Sequence, residues 1–401
     1  MRVMSTLKLL LIAPFVCEQS IGEGASTYQL VSRLARKFNC TVLTYNLRAD
    51  TPAGKNVPEA RVVEWRDLPI VGRFSRLNSQ LTPGYIPFFL RARNWLRKNL
   101  KREGFDLIHQ LAPLALRYPC PAVGLGAPYI IGPLGGSLEA PPSLQSEVER
   151  EPLYRKLRAL DGLRFRYDPL LRATYSQARV LIVVAPYVSK ALASIELPPL
   201  RFMSEAGVER VYPRLCRSLG APPRLLFVGR VIRTKGVRDA IRSIGHLSNR
   251  DAILDIVGDG EDVAPCMREV ASLGLQYRVR FHGYLPRAAV DAFYERADLF
   301  VFPSFREPSG KAVLEAMSHG VPVVAANYGG PAVVVDETCG RLVDPAPPDV
   351  FARSLAAEID SVLANPLLRD ALGEGAARRI EEQYTWNKKV DWLCNLYREV
   401  L

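Results

Sequence analysis

The chain has 401 residues, more than one hydrophobic core usually serves, so two domains are expected. Apolar residues make up 48% and charged residues 23%, a globular balance that excludes an intrinsically disordered chain. The formal charge of +12 points to an anionic partner, whether nucleotide, phosphate-bearing lipid, membrane surface or nucleic acid, without choosing among them.

The chain opens with a strand, a glycine loop, a helix and a second strand. Residues 7–13 are a nearly continuous apolar run, as in a parallel strand covered on both faces. Arg2 and Lys8 before the apolar run 9–16, and Cys17 after it, resemble a lipoprotein signal. Bulky Phe15 and Val16 at the cleavage point and Pro14 inside the run favour a buried first strand instead. Gly22 and Gly24 follow. Tyr28, Val31, Leu34, Ala35 and Phe38 then recur at helical spacing, and residues 40–44 read as the second strand. Residues 105–110, 129–132 and 180–185 are further strands. The proline-rich stretch 197–223 reads as a linker.

After the linker the alternation restarts. Strands are predicted at 225–229, 253–257, 279–282, 299–302 and 321–325, and helices at 237–247, 263–273, 288–296 and 309–319. Such alternation specifies right-handed crossovers and an α/β fold of two Rossmann-like, doubly wound parallel sheets facing a cleft. The expected division is a first domain over 1–200, a second over 201–375 and a last helical segment over 376–401. A helix over 381–401 carries Trp386, Val390, Leu393, Leu396 and Tyr397 on one side. The seven cysteines are scattered singly, without metal-ligand spacing, and read as buried, reduced thiols of a cytoplasmic protein. No apolar run reaches the ~18 residues that a membrane span needs.

The segment with most chemical content runs from Phe302 through Glu307, Ser309, Gly310, Lys311, Ala312 and Glu315 to Gly320. It reads as strand end, loop, helix and helix stop. The amides and positive dipole end at Ser309–Lys311 form an anion site facing the cleft. Glu307 before the helix and Glu315 about a turn inside it suit sugar hydroxyls, to which carboxylates bond strongly. Taken singly, Glu307 is also compatible with a loop charge and Glu315 with an ordinary helix glutamate. In Phe227-Val-Gly-Arg230-Val-Ile-Arg-Thr-Lys235-Gly236, two cations end a strand where they grip phosphate oxygens. No clear Asp-x-Asp pair stands ready for a metal, so metal-independent chemistry is expected, with no cofactor.

Glu307-x7-Glu315 in this setting, with Phe302-Pro-Ser before it and Gly320-Val-Pro-Val-Val after it, resembles the signature of the retaining GT-B glycosyltransferases grouped as family four. Ser309 stands where that family usually has phenylalanine, and Lys311 where leucine is common. The resemblance implies that Arg230 and Lys235 bind the donor diphosphate and stabilise the leaving group. It also implies that Gly258 and Asp259 surround the nucleotide, and that Tyr284 and Leu285 meet the base largely through backbone. Gly22 and Gly24 would let backbone approach donor phosphate and acceptor, and His109 would lie near the donor sugar. A turn competes for each glycine pair, and a buried structural role competes for His109. The last helix would cross back to the first domain.

Residues 86–102 carry six Arg/Lys and no acid beside Phe88, Phe89, Leu90, Trp95 and Leu96, and residues 153–175 carry six against two acids. Such faces suit an anionic membrane surface, with the protein peripheral on its inner face, or serve as solvated helix faces. No nucleic-acid module appears. The leading reading is a hexosyltransferase that moves a sugar, with retention, from a UDP- or GDP-sugar to a lipid-linked or saccharide acceptor, in bacterial cell-surface polysaccharide or glycolipid biosynthesis. The competing readings are an epimerase or phosphorylase on the same fold and a non-catalytic nucleotide binder. The last is disfavoured because no G-x-G-x-x-G follows the first strand.

Overall fold

A strand covered on both faces has no polar side to show, and the central strands here are accordingly rich in apolar residues. Leu181–Val183, Leu299–Phe302 and Val323–Ala326 are buried at every position. A computed structural model describes residues 7–19, 22–46, 53–66, 85–148, 160–213 and 222–401. Cys216, residues 153–159 of the second basic stretch and residues 214–221 of the expected linker lie outside the described residues. Contacts divide the chain into two units. One comprises Met1–Ser137, Pro152–Glu205 and Lys389–Leu401; the other comprises Leu138–Glu151 and Ala206–Lys388.

In the first unit, strands β1 (Lys8–Ile12), β2 (Asn39–Asn46), β3 (Arg61–Arg66), β4 (Leu107–Gln110), β5 (Tyr129–Leu134), β6 (Leu181–Val183) and β7 (Leu200–Phe202) form one sheet. Their order is β3-β2-β1-β4-β5-β6-β7, parallel at every pairing. The helices used below are α1 (Glu23–Ala35), α2 (Tyr85–Glu103), α3 (Leu160–Tyr167) and α4 (Pro169–Ser176). Strands β3 and β7 were not expected. β3 has polar residues among its apolar ones and is only half-buried, and the three-residue β7 lies inside the expected linker.

The second unit holds β8 (Arg224–Val228), β9 (Ile253–Val257), β10 (Val279–Phe281), β11 (Leu299–Phe302), β12 (Val323–Ala326) and β13 (Gly340–Val343). Their order is β10-β9-β8-β11-β12-β13, again all parallel. The crossovers include α5 (Val237–His246), α6 (Val263–Ser272), α7 (Arg287–Glu295) and α8 (Lys311–Ser318). In both sheets the order reverses beside the first strand, the switch point beyond whose carboxyl ends ligands bind. α5 shows how sequence becomes packing here. Val237, Ala240, Ile241 and Ile244 fall on one stripe and are buried, while Arg238 and Arg242 on its flanks pair with Asp262 and Glu269 of the α6 segment.

The segment Leu138–Glu151 belongs to the second unit through specific bonds rather than through a strand. Ser143 Oγ donates to the Pro345 carbonyl at 3.1 Å, and Glu147 accepts from Arg233. The final helix, α9 (Trp386–Val400), is assigned to the first unit from Lys389 onward. Its Val390, Leu393, Leu396 and Tyr397 are buried, as their spacing implied. The six described cysteines are free thiols, and no helix among the described residues is long and apolar enough to cross a membrane.

Candidate active site

In the second unit, β8 and β11 are paired neighbours, so the loops at their carboxyl ends lie side by side. Two bonds stitch those loops together: Phe305 N donates to the Thr234 carbonyl at 3.1 Å and Ser304 Oγ to the same oxygen at 3.2 Å. The β8 loop ends in a 3-10 turn, Arg233–Lys235, closed by Gly236 at φ 77°. Only glycine serves there, because a Cβ would stand 2.1 Å from the Pro303 carbonyl oxygen. This close approach brings Lys235 onto Glu307, and the two side chains form an ion pair between the loops.

Glu307 is held at both oxygens. Oε2 meets Lys235, and Oε1 accepts from the amides of Gly310 at 3.0 Å and Ser309 at 3.3 Å. Burial alone raises a carboxyl pKa. Here the Lys235 charge, its hydrogen bond and the two amides outweigh burial and hold Glu307 below the usual carboxylate range. The carboxylate is therefore ionised at neutral pH and fixed in orientation.

This arrangement corrects the expected anion site in one respect. The amides of Ser309 and Gly310 are taken by Glu307, so what the start of α8 retains for a ligand are the amides of Lys311, Ala312 and Val313, which lack intrahelical acceptors. Lys311 is exposed and Ala312 half-buried at that end. Glu315, a turn further in, is nearly buried; Arg287 contacts its Oε1, and the Tyr294 hydroxyl donates to its Oε2 at 3.3 Å.

The other predicted contacts line the same ends of the sheet. Arg230 is exposed just beyond β8. The loops after β8, β9 and β10 are laced by backbone bonds: Val231 N to Asp259 O at 2.9 Å, and Gly258 N to Gly283 O at 2.8 Å. Gly258 has φ 137°, and a Cβ there would stand 1.9 Å from the Gly229 oxygen, so the close lacing requires glycine. Asp259 is exposed and accepts from the Gly260 amide at 2.8 Å. Tyr284 is exposed and Leu285 half-buried.

Arg233, between the two predicted cations, was not singled out, and it is the one that is buried. Its guanidinium forks onto Asp239 at 2.6 and 3.1 Å, its Nε donates to Glu147 at 2.9 Å, and it stacks 5.2 Å from the Phe305 ring. It thus locks the loop that carries Arg230 and Lys235. The sequence shows three cations within six residues, and only the fold separates the anchor from the two others.

In the first unit, Gly22 at φ 87° precedes α1 and Gly24 lies in its first turn. The residue between them is the informative one. Glu23 is half-buried and accepts from the Leu114 amide at 2.8 Å, tying the loop after β1 to the loop after β4. Leu114 O in turn accepts from Gly135 N at 2.9 Å, and the Tyr187 hydroxyl contacts Gly136 N at 3.2 Å. Burial, opposed by the Leu114 bond and assisted by the Glu205 charge, raises the Glu23 pKa to about 7.

His109, expected near the donor sugar or in a buried structural role, lies in β4. It is fully buried, and both ring nitrogens are engaged within the first unit. Nε2 lies 2.8 Å from the Gly132 carbonyl, which only accepts, so Nε2 carries the proton and Nδ1 accepts from the Tyr397 hydroxyl at 2.7 Å. Burial lowers its pKa to about 4. A neutral imidazole with both nitrogens engaged thus packs the core of the first unit at the end of β4.

Comparison with known proteins matches both units. Residues 22–203 match the family model described as Glycosyltransferase Family 4, and residues 217–379 the model described as Glycosyl transferases group 1. The D-inositol 3-phosphate glycosyltransferase of Salinispora arenicola is 37% identical over 203 residues, covering 46% of this chain and 44% of that protein. The chain spans about half the length of the curated relatives it matches, between 42 and 55%. Among solved structures, sucrose-phosphate synthase from Thermosynechococcus elongatus matches 98% of this chain and 99% of its own, with a TM-score of 0.67 and 21% identity. The Anabaena protein Alr3699/HepE in complex with UDP matches 98% of this chain and 100% of its own, with a TM-score of 0.65 and 17% identity. At these identities the structural likeness concerns the fold.

Proposed function

Because the chain belongs to the group 1, family-four glycosyltransferases and has their GT-B fold, we propose that it transfers a sugar from a nucleotide diphosphate sugar to an acceptor hydroxyl. The observation that carries this reading is the fixed, ionised Glu307 paired with Lys235 beside the open amides of α8, at the switch point of the second sheet. A diphosphate meets Lys235, the exposed Arg230 and the α8 amides. The sugar beyond it meets Glu307, and the ribose meets Glu315.

In the chemistry proposed, the bond from the anomeric carbon to the diphosphate oxygen breaks while the acceptor oxygen attacks from the same face, so configuration is retained. Arg230 and Lys235 stabilise the negative charge that builds on the departing diphosphate, and a phosphate oxygen takes the acceptor proton. Placed cations of this kind govern ~10²–10³ in rate per group, which supports a reaction that runs without a divalent metal.

The structurally similar Anabaena protein Alr3699/HepE forms a complex with UDP, which supports a UDP-sugar donor, with a GDP-sugar as the alternative. A lipid-linked or saccharide acceptor fits the first unit, where Ile86 and Leu90 of α2 are 65% and 60% exposed on the same face as Arg97 and Lys101. Leu163, Tyr167 and Leu170 of α3 and α4 are likewise exposed. Apolar and basic residues on one surface suit a peripheral seat on anionic lipid.

The test is thermal-shift binding of UDP, GDP, ADP and their sugars, with and without EDTA, to wild type and Arg230→Ala. Stabilisation by one nucleotide that is indifferent to EDTA and weakened in the variant is expected. A folded protein that responds to none of them overturns the reading.

A further inference from the structure

Glu315 is nearly buried on α8, and its two oxygens are approached from α7 by different chemistry. Arg287, the first residue of α7, contacts Oε1; Tyr294, seven residues on, donates its hydroxyl to Oε2 at 3.3 Å. The Arg287 side chain is 53% exposed and its Nε stands 3.3 Å from Asp291 Oδ1, so the guanidinium is spread between two carboxylates at the rim of the site. It follows Leu285 by two residues and so borders the loop expected to meet the base.

The backing is rigid. Tyr294 stacks on His319 with ring centroids 5.3 Å apart, and His319 stacks on Tyr212 at 4.2 Å and 4°. Ser318 Oγ donates to the Glu315 carbonyl at 2.7 Å. Burial holds the Tyr294 phenol well above its ordinary pKa, so it stays a donor.

A carboxylate oxygen has two lone-pair directions. With Arg287 on one oxygen and Tyr294 on the other, each oxygen still has a second lone-pair direction with which to accept. That is the complement of a vicinal diol, which donates one hydrogen bond to each oxygen. Resting on the assignment of Glu315 to the donor's ribose, we propose that Arg287 is a positioning residue that sets selection for ribose over 2′-deoxyribose nucleotides by holding Glu315 in the diol-matching orientation. A site built to bond a hydroxyl rejects the analogue without it because its own polar atom is then left unpaired. That rejection is sharp only while the carboxylate has no second orientation to adopt, and Arg287 is what removes the second orientation.

The experiment is calorimetric binding of UDP, GDP and ADP, each beside its 2′-deoxy form, to wild type, Arg287→Ala, Arg287→Lys and Glu315→Gln. The quantity read is the ratio of the two dissociation constants for the base that binds. Wild type is expected to favour the ribose form by ~10-fold or more, from the loss of one paired hydroxyl. Arg287→Ala is expected to bring the ratio to within about threefold of unity, as is Glu315→Gln, and Arg287→Lys to restore part of it. A merely structural role would weaken both nucleotides alike and leave the ratio unchanged. A ratio lost in Glu315→Gln but kept in Arg287→Ala overturns the role of Arg287 while leaving the ribose assignment intact. A ratio kept in Glu315→Gln overturns the ribose assignment, and the proposal with it. Arg287 is half-exposed, and the Glu315→Gln readout stands independently of how the arginine variants fold.

Discussion

Lys235 and Glu307 lie 72 residues apart in the chain and form one ion pair, with Glu307 also accepting from the amides of Gly310 and Ser309. The pair joins the loop after β8 to the loop after β11, so a single contact sets the spacing of the two groups to which the proposed chemistry assigns the phosphate and the sugar.

Removing one partner leaves the other charge poorly compensated. Lys235→Ala is expected to cost about 2–3 kcal/mol of stability, below the fully buried case because both side chains keep some exposure, and to lower kcat ~10²–10³-fold. The depressed Glu307 pKa means that the pair stabilises the fold above the ordinary carboxylate range and loses that contribution as pH falls through the folded value. Lys235→Met with Glu307→Gln is expected to regain stability without regaining activity. Urea unfolding beside donor turnover measures both, and a double variant that is active would show the pair to be purely structural.

Arg233 tests the anchoring of the same loop. Its fork onto the fully buried Asp239 is planar and bidentate, which lysine does not reproduce. Arg233→Lys is expected to cost ~3 kcal/mol in unfolding and to weaken nucleotide binding, although Arg233 itself is too buried to meet the ligand. Unchanged stability in the lysine variant would show that the fork is not what holds the loop.

Two groups of the first unit, buried His109 and half-buried Glu23, pull the pH profile in opposite directions. His109 has its pKa lowered from 6.5 to about 4, so the unfolded chain takes the proton first and stability falls as pH drops between those values. Glu23 has its pKa raised from 4.5 to about 7, so the native chain keeps the proton and stability falls as pH rises through that window. Each effect is worth ~3 kcal/mol, and they nearly cancel over the shared range. Glu23→Gln removes one side of the balance while keeping an acceptor for the Leu114 amide. The variant is expected to melt higher than wild type at pH 8 and to lose stability more steeply below pH 6.5, as read by thermal unfolding across pH. Parallel profiles for the two proteins would refute the assignment to Glu23.

The exposed apolar and basic residues of α2 predict binding to vesicles containing anionic phospholipid, weakened by salt and absent on neutral vesicles. Ile86→Asp with Leu90→Asp is expected to abolish co-sedimentation while leaving transfer to a soluble acceptor unchanged. Equal sedimentation of both proteins would remove the membrane from the reading.

The sequence by itself determined the two parallel sheets and the placing of Glu307 and Glu315. Strands covered on both faces are rich in apolar residues, and a carboxylate pair eight positions apart across a helix start is a local pattern. It also marked Arg230 and Lys235, since cations at a strand end need no distant partner to be noticed. It did not mark β3, β7 or β13, because short edge strands with polar residues among few apolar ones carry too little apolar signal. The tertiary structure alone decided which charges meet. His109 became a core residue because Tyr397, 288 positions away, supplies the proton to its Nδ1. Arg233 became an anchor because Glu147 and Asp239 converge on it from two segments. The amides of Ser309 and Gly310 went to Glu307 because the loop folds back on itself. Hydrophobic periodicity is written along the chain, whereas the pairing of polar groups depends on distances that exist only once the chain has closed.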